Sequence, residues 1–276
     1  MKTVMITGAK GYIGSALGEW FEKQKKYRVI RINTKAVRPE NILMEGCDTV
    51  VHTAGIAHQK ETKDNAPLYY EINRDYAVQT AVQARKAGVQ QFILLSSMSV
   101  YGKQTGRITK ETVPAPVSHY GRSKYQADLK IRDLESDTFR VCILRPPMVY
   151  GKGCKGNYQA LRKRALKTLI FPDWKNQRSM LYIENLCGFI QQLTDAGTSG
   201  LFFPQNRDYI CTAELVRQIA AAHGKKIRLV KCFNPMLRHL HLGLFEKVFG
   251  SLIYDCPEDE CLQVKDFVET IYRTEQ

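Results

Sequence analysis

Apolar positions in this chain fall into short runs separated by amphipathic stretches, and their spacing differs between the two. Residues 4–6, 27–32, 48–52, 91–96 and 140–144 each hold an apolar run suited to one buried strand. Between the runs, Ile13, Leu17, Trp20 and Phe21 recur at helical spacing. So do Ile72, Tyr76 and Val82 within residues 69–87, a helix that Gly88 closes. Lys124, Ala127, Ile131 and Leu134 mark a third helix over 119–134. This alternation through residue 147 predicts an α/β fold, a doubly wound parallel sheet with helices on both faces. Residues 58–66 are polar and 103–117 combine polar residues with proline and glycine, so both read as loops. Beyond residue 150 the alternation loosens. A helix from 157 to about 169, short strands at 180–183 and 201–203, and a helix at 212–223 are expected there. The Leu- and Phe-rich stretch 233–254 could form a lid, a dimer surface or a membrane-surface helix, and packing against the chain's own body is the favoured expectation.

The first strand runs into Gly8, Gly11 and Gly14, and the first helix starts inside that triplet. Glycine suits a chain that must turn sharply and let a pyrophosphate approach a helix N-terminus, where unpaired N–H groups and the helix dipole favour an anion. A dinucleotide is the expected ligand, held at Gly8, Gly11, Tyr12, Ile13 and Gly14. The small residues Thr53, Ala54 and Gly55 end the third strand and let a ring system or backbone come close. About 20 positions past the glycines, an NAD site usually carries an acidic residue for the ribose hydroxyls. Here that position is Asn33, with Arg31, Lys35 and Arg38 around it. Without a carboxylate to repel a 2′-phosphate, both NAD and NADP are expected to be accepted.

Composition narrows the picture modestly. With 44% hydrophobic and 25% charged residues, the chain is an ordinary globular protein. No run approaches the ~18 apolar residues of a membrane span, and no signal-peptide pattern opens the chain, so a cytoplasmic address is expected. The eight cysteines form no CxxC pair, which predicts reduced packing residues and no metal site. The net charge of +14 is compatible with a nucleic acid, a membrane surface or an acidic small molecule. The basic runs at 23–26 and 162–164 both have helical character and read as solvated helix faces. Without a zinc spacing or an aromatic-interleaved RNA motif, no nucleic-acid partner is expected.

Tyr120 and Lys124 lie four apart on a predicted helix and therefore share a face. A phenol with a reference pKa of about 10 is a poor base at neutral pH. A neighbouring ammonium together with a cationic nicotinamide would lower that value and let Tyr120 exchange a proton with a substrate hydroxyl. Ser97, after the fourth strand, could hydrogen-bond the same oxygen.

Three motifs occur together and in order: Thr7-Gly8-Ala9-Lys10-Gly11-Tyr12-Ile13-Gly14, Ser96-Ser97-Met98-Ser99-Val100-Tyr101-Gly102 and Tyr120-Gly121-Arg122-Ser123-Lys124. The set resembles the extended short-chain dehydrogenase/reductase family, the NAD-dependent epimerase/dehydratases of nucleotide sugars. Arg145-Pro146-Pro147-Met148-Val149-Tyr150-Gly151 and the segment 176–185 resemble UDP-hexose 4-epimerases and related 4-keto reductases. The resemblance covers roughly residues 1–225. It implies a Rossmann-type dinucleotide-binding domain over 1–150 that carries the catalytic residues. A smaller C-terminal substrate-binding lobe would occupy 151–276, with some segments returning to the first body. It further implies Ser97, Tyr120 and Lys124 as the catalytic set, with Met98 beside the substrate. Asn73 and Pro147 would sit at the cofactor, and Asn157 and Arg178 on the substrate diphosphate. The implied function is C4 epimerisation of a UDP-hexose with tightly bound NAD. The alternatives are an NADPH-dependent UDP-4-keto-6-deoxy-hexosamine 4-reductase of surface-glycan biosynthesis and a non-catalytic dinucleotide sensor. The resemblance also allows a homodimer.

Overall fold

A computed structural model describes residues 1–57, 59–232, 234, 243–255, 261–262 and 266–276. Two compact units share the chain. The first comprises 1–102, 113–146 and 186–204, and the second 103–112, 147–185 and 205–276.

The first unit is built on β1 (Lys2–Thr7), α1 (Tyr12–Lys23), β2 (Tyr27–Ile32), β3 (Thr49–His52), α2 (Ala66–Tyr70), α3 (Ala77–Lys86) and β4 (Gln91–Leu95). After β5 (Gly106–Ile108), which belongs to the second unit, come α4 (His119–Arg132) and β6 (Arg140–Leu144). Later segments β7 (Met148–Tyr150), α5 (Asn157–Lys167), β8 (Ile170–Pro172) and β9 (Met180–Tyr182) lie in the second unit. The chain then returns to the first unit through α6 (Ile183–Ala196) and β10 (Gly200–Phe202).

Six parallel strands form the sheet in the order β10-β6-β4-β3-β1-β2. Successive strand residues face opposite sides, so strands covered on both faces must be apolar throughout. Met5, Val50, Phe92 and Ile143 accordingly pack with Ala77, Ala81 and Ala84 of α3 and Ala127 and Ile131 of α4. Their alternates Val4, Ile6, Val51, Ile93 and Leu144 are equally buried. Two helices of this unit touch each other where Trp20 of α1 donates to Gln191 of α6 at 2.7 Å. Because β1 pairs with β2 on one side and β3 on the other, the winding reverses at β1. In open α/β sheets, ligands bind beyond the carboxyl ends of the strands at such a switch point. Here those ends carry Gly8 and the run Thr53-Ala54-Gly55.

Among its described residues the second unit contains four two-stranded parallel ladders, β5 with Leu252–Tyr254, β7 with β9, β8 with Arg228–Val230 (β12), and Gln205–Asn206 (β11) with Cys261–Leu262. Its helices among the described residues are α5, α7 (Thr212–Ala222), Gly243–Phe249 and Phe267–Glu275. The last helix is tied down through Glu275, which accepts from Tyr158 at 2.8 Å and Arg162 at 2.6 Å and meets His223 at 2.6 Å.

Three expectations from the pattern need correction, and one unassigned stretch proves helical. The stretch 103–117 is not all loop, because Gly106–Ile108 pairs with Leu252–Tyr254, a partner too distant for local pattern to reveal. The helix expected over 69–87 is instead α2, a π-helical segment Glu71–Tyr76, and α3. Its buried line is Asn73, Ala77, Thr80, Ala81 and Ala84, while Ile72, Tyr76 and Val82 are half-buried, because small side chains let the helix sit close to the sheet. The third helix stops at Arg132, leaving Leu134 beyond it. Most of 183–196, unassigned from pattern, is the long helix α6. Of the stretch 233–254, residues 233 and 235–242 lie outside the described residues.

Candidate active site

The glycine turn is held by its own backbone. Gly8 and Ala9 both donate to Ile32 O at 3.1 Å, and Gly11 donates back to Gly8 O at 2.8 Å. Gly8 has φ +80°, and a Cβ there would stand 2.6 Å from Ala54 N. At Gly14 a Cβ would strike Gly8 O and lie 2.7 Å from Thr53 Oγ1. Gly11 differs, since a Cβ there would meet only Gly8 O, at 3.1 Å. It is also the N-cap of α1 and supplies no capping side chain. The first amides of that helix precede its first backbone bond, from Ser15 N–H to Gly11 O. A helix start without a side-chain cap and with glycine on its approach suits a pyrophosphate.

The two kinds of glycine predict different losses. Gly14→Val is expected to destabilise the fold by about 1–3 kcal/mol or more through overpacking. Gly11→Val is expected to leave the unfolding midpoint near the wild-type value yet weaken dinucleotide binding. Parallel thermal melts and NADH fluorescence titrations check both. Unaltered NADH affinity in a folded Gly11→Val protein would remove the turn from the binding site.

Asn33 follows β2 directly and is half-buried, with its Oδ1 3.4 Å from the Lys35 amide. Arg31 is engaged elsewhere. Its guanidinium lies over Gly18 and pairs with Glu22 at 2.7 Å. The cations facing a ribose near Asn33 are thus fewer than the bare sequence suggests.

Asn73 is fully buried in the π-helical segment, a kind of widened turn common at functional sites. Its Oδ1 accepts from Ile56 N at 2.8 Å, and its Nδ2 donates to Ile56 O at 3.1 Å and Ser123 Oγ at 3.2 Å. This clamps the segment after Gly55 against α4. A Cβ on Gly55 would lie 2.9 Å from Asn73 Oδ1 and 3.1 Å from Lys124 Nζ. The expected cofactor residues Gly55, Asn73 and Lys124 are therefore in contact.

Lys124 is buried in α4 and donates to Leu95 O at 2.7 Å. Burial pushes its pKa down to about 8, against the opposing pull of Asp128 one turn on. Tyr120 is half-buried, edge-on to Tyr69 with ring centroids 6.4 Å apart. Burial raises its pKa, while a hydrogen bond with Ser97 pulls it down. The net direction is upward, because burial outweighs the serine. Ser97 caps the short turn Met98–Tyr101, accepting from Ser99 N at 3.1 Å, and Met98 N donates to Pro146 O at 2.9 Å. His52, buried below with Nδ1 2.8 Å from Thr7 Oγ1, is driven down to about 3 by burial and stays neutral.

Pattern reasoning missed two supports of this cluster. Glu61 caps α4, accepting from His119 N and Tyr120 N at 2.9 Å each, which fixes the backbone that carries the phenol. Beneath the cluster, Arg145 Nε donates to the buried Asp128 at 3.0 Å and Arg145 Nη1 to Tyr101 Oη at 2.8 Å. A carboxylate 58 positions from its helix carries no local signal. Asp128 was findable in principle, since it continues the Tyr120, Lys124 line by one more turn.

Pro147, Asn157 and Arg178 belong to the second unit. Pro147 is buried, and Asn157 is exposed at the first turn of α5. Arg178 is half-buried and donates to Gly250 O at 2.8 Å, at the end of the helix Gly243–Phe249. Burial lowers its pKa.

Residues 4–201 match the sequence profile of the NAD dependent epimerase/dehydratase family. The chain belongs to that family. Among its relatives, a UDP-glucose 4-epimerase of Vibrio cholerae is 31% identical over 251 residues, 81% of this chain and 76% of that protein. An N-acetyl-alpha-D-glucosaminyl-diphospho-ditrans,octacis-undecaprenol 4-epimerase of Escherichia coli O157:H7 is 29% identical over 270 residues, 90% and 81% respectively. In fold the chain is similar to the UDP-glucuronic acid 4-epimerase of Bacillus cereus in complex with NAD. The TM-score is 0.78 at 18% identity, over 99% of this chain and 97% of that one. Membership makes the protein an NAD(P)-binding enzyme of the epimerase/dehydratase type.

Proposed function

We propose that this family member is a nucleotide-sugar 4-epimerase acting on a UDP-hexose. The observation that carries the reading is the neighbouring Ser97 and Tyr120 together with a buried Lys124 that, like Asn73, lies beside Gly55. Gly8, Gly11 and Gly14 would hold the dinucleotide's pyrophosphate, Asn33 its ribose, and Thr53 to Gly55 its rings. When bound, the cofactor supplies reversible hydride acceptance from C4 of the sugar. Tyr120 takes the proton of the 4-hydroxyl as that carbon is oxidised and returns it on the way back. Ser97 donates to the same oxygen and orients it. Lys124 keeps positive charge under the phenol and so favours its ionised form. Arg178 and Asn157 hold the diphosphate while the keto sugar turns over, the guanidinium suiting this through its paired donors. The name of the Escherichia coli relative extends the substrate class to a hexosamine diphosphate on a polyprenol, which the same arginine would hold.

The test supplies UDP-galactose, UDP-N-acetylgalactosamine and the undecaprenol-diphospho-N-acetylglucosamine in turn, with NAD and no reductant. The C4 epimer of at least one is expected, with no net change in NADH absorbance. If all three are inert while a UDP-4-keto-6-deoxy sugar is reduced with NADPH consumed one for one, the protein is a 4-reductase and the proposal is wrong.

A further inference from the structure

The surface of α5 and its neighbours gathers a cluster of exposed cations. Ala160, Lys163, Arg164 and Lys167 recur at spacings of three and four and are all exposed, forming one outward stripe. The loop after α7 brings more cations to the end of that stripe. Lys225 Nζ donates to Leu166 O at 2.7 Å, and Arg228 N donates to Leu169 O at 2.9 Å. Strand β12 then pairs with β8, placing Arg228 opposite Ile170. Lys225, Lys226 and Arg228 are all exposed beside the helix. Two aliphatic side chains stand out among these cations, Leu169 at 77% exposure and Ile170 at 50%.

No acidic residue occurs in 151–172 or 221–232, and Asp173 is the first after β8. The carboxylate that α5 does meet, Glu275, is buried and engaged by Tyr158, Arg162 and His223, leaving the outward stripe unneutralised. Acid-free charge with protruding aliphatics is the signature of a surface that lies on an anionic bilayer. Nucleic-acid surfaces interleave their cations with aromatic rings for base stacking, and this stripe carries aliphatic side chains instead. No helix among the described residues is long and apolar enough to cross a membrane.

We propose that the α5–β8–β12 face docks the protein on anionic phospholipid headgroups, with Leu169 and Ile170 entering the interface. Docking is electrostatic and reversible, and it adds a surface role that the family's chemistry does not require. Binding is read without turnover, so it stands or falls apart from the choice of sugar.

The experiment sediments the full-length protein with vesicles of phosphatidylcholine containing phosphatidylglycerol, and with phosphatidylcholine alone. Binding is expected only to the anionic vesicles and is expected to weaken with added salt. Each cation at the surface contributes about fivefold, so the triple variant Lys163→Gln/Arg164→Gln/Lys167→Gln should bind on the order of 100-fold more weakly. Leu169→Ser/Ile170→Ser should also bind more weakly, and both variants should keep the wild-type melting temperature and NADH affinity. Absence of binding to anionic vesicles overturns the proposal, as does binding that the triple variant leaves unchanged. So does binding to single-stranded DNA at the same affinity with no contribution from Leu169 and Ile170, which would mark a surface for polyanions in general.

Discussion

Tyr120→Phe is expected to reduce turnover by about 10²–10⁴-fold while leaving the protein folded and able to bind NADH. The substitution removes one oxygen and keeps the ring, so the edge contact with Tyr69 survives. The backbone at that position is held independently by Glu61. What disappears is the group that moves the proton of the sugar hydroxyl. The ionisable side chains Lys124 and His52 are not placed to replace it. Lys124 is committed to Leu95 O, and His52 is held neutral in the core. The Ser97 hydroxyl lowers the pKa of the phenol but is itself too weak an acid or base to take over. Steady-state kinetics on whichever sugar diphosphate is turned over, with NADH titration of the same variant, provide the check. Turnover within threefold of wild type would exclude Tyr120 as the acid/base.

Arg145→Met is expected to destabilise the protein by about 3–5 kcal/mol, the usual cost of leaving one buried ion without its partner. Asp128 is fully buried, and the Arg145 side chain beside it is 3% exposed. The guanidinium also lies over the rings of Tyr101 and Tyr125, at 5.2 and 5.8 Å from their centroids. Without it, Asp128 would face the core with its charge balanced only by Lys124, one turn away. The double variant Arg145→Met/Asp128→Leu removes both charges and is expected to regain much of the loss, since an apolar pair of similar volume often replaces a buried ion pair at little cost. Urea unfolding of the two single variants and the double variant measures the coupling. A loss under 1 kcal/mol in the Arg145 variant, or strictly additive losses in the double, would show that the pair does not hold this part of the sheet together.

These supports are what pattern alone could not supply. Lys124 is visible because it stands four residues from Tyr120, and helical spacing is a local property. The carbonyl of Leu95 that accepts from its ammonium lies 29 positions earlier in the chain. Its neighbour Gly55 is a strand away. Spacing reports which side chains share a face, and not where an ammonium donates.

The sequence by itself determined the strand–turn–helix at 2–23, the parallel α/β alternation and the family. Those depend on periodicities of two and 3.6 and on glycines at fixed offsets, all of which act over a few residues. Tertiary structure decided what each of those glycines does. Gly8 and Gly14 are required by the close approach of Thr53 and Ala54, whereas a side chain at Gly11 would meet only Gly8 O. It also decided that Arg31 pairs with Glu22, that Glu61 caps α4 and that β5 finds a partner some 145 positions later. It gathered two separated basic segments, α5 and the loop after α7, onto one face. Each of these outcomes is a contact between segments distant in the chain, and the energy of such a contact depends on where folding has brought its two ends.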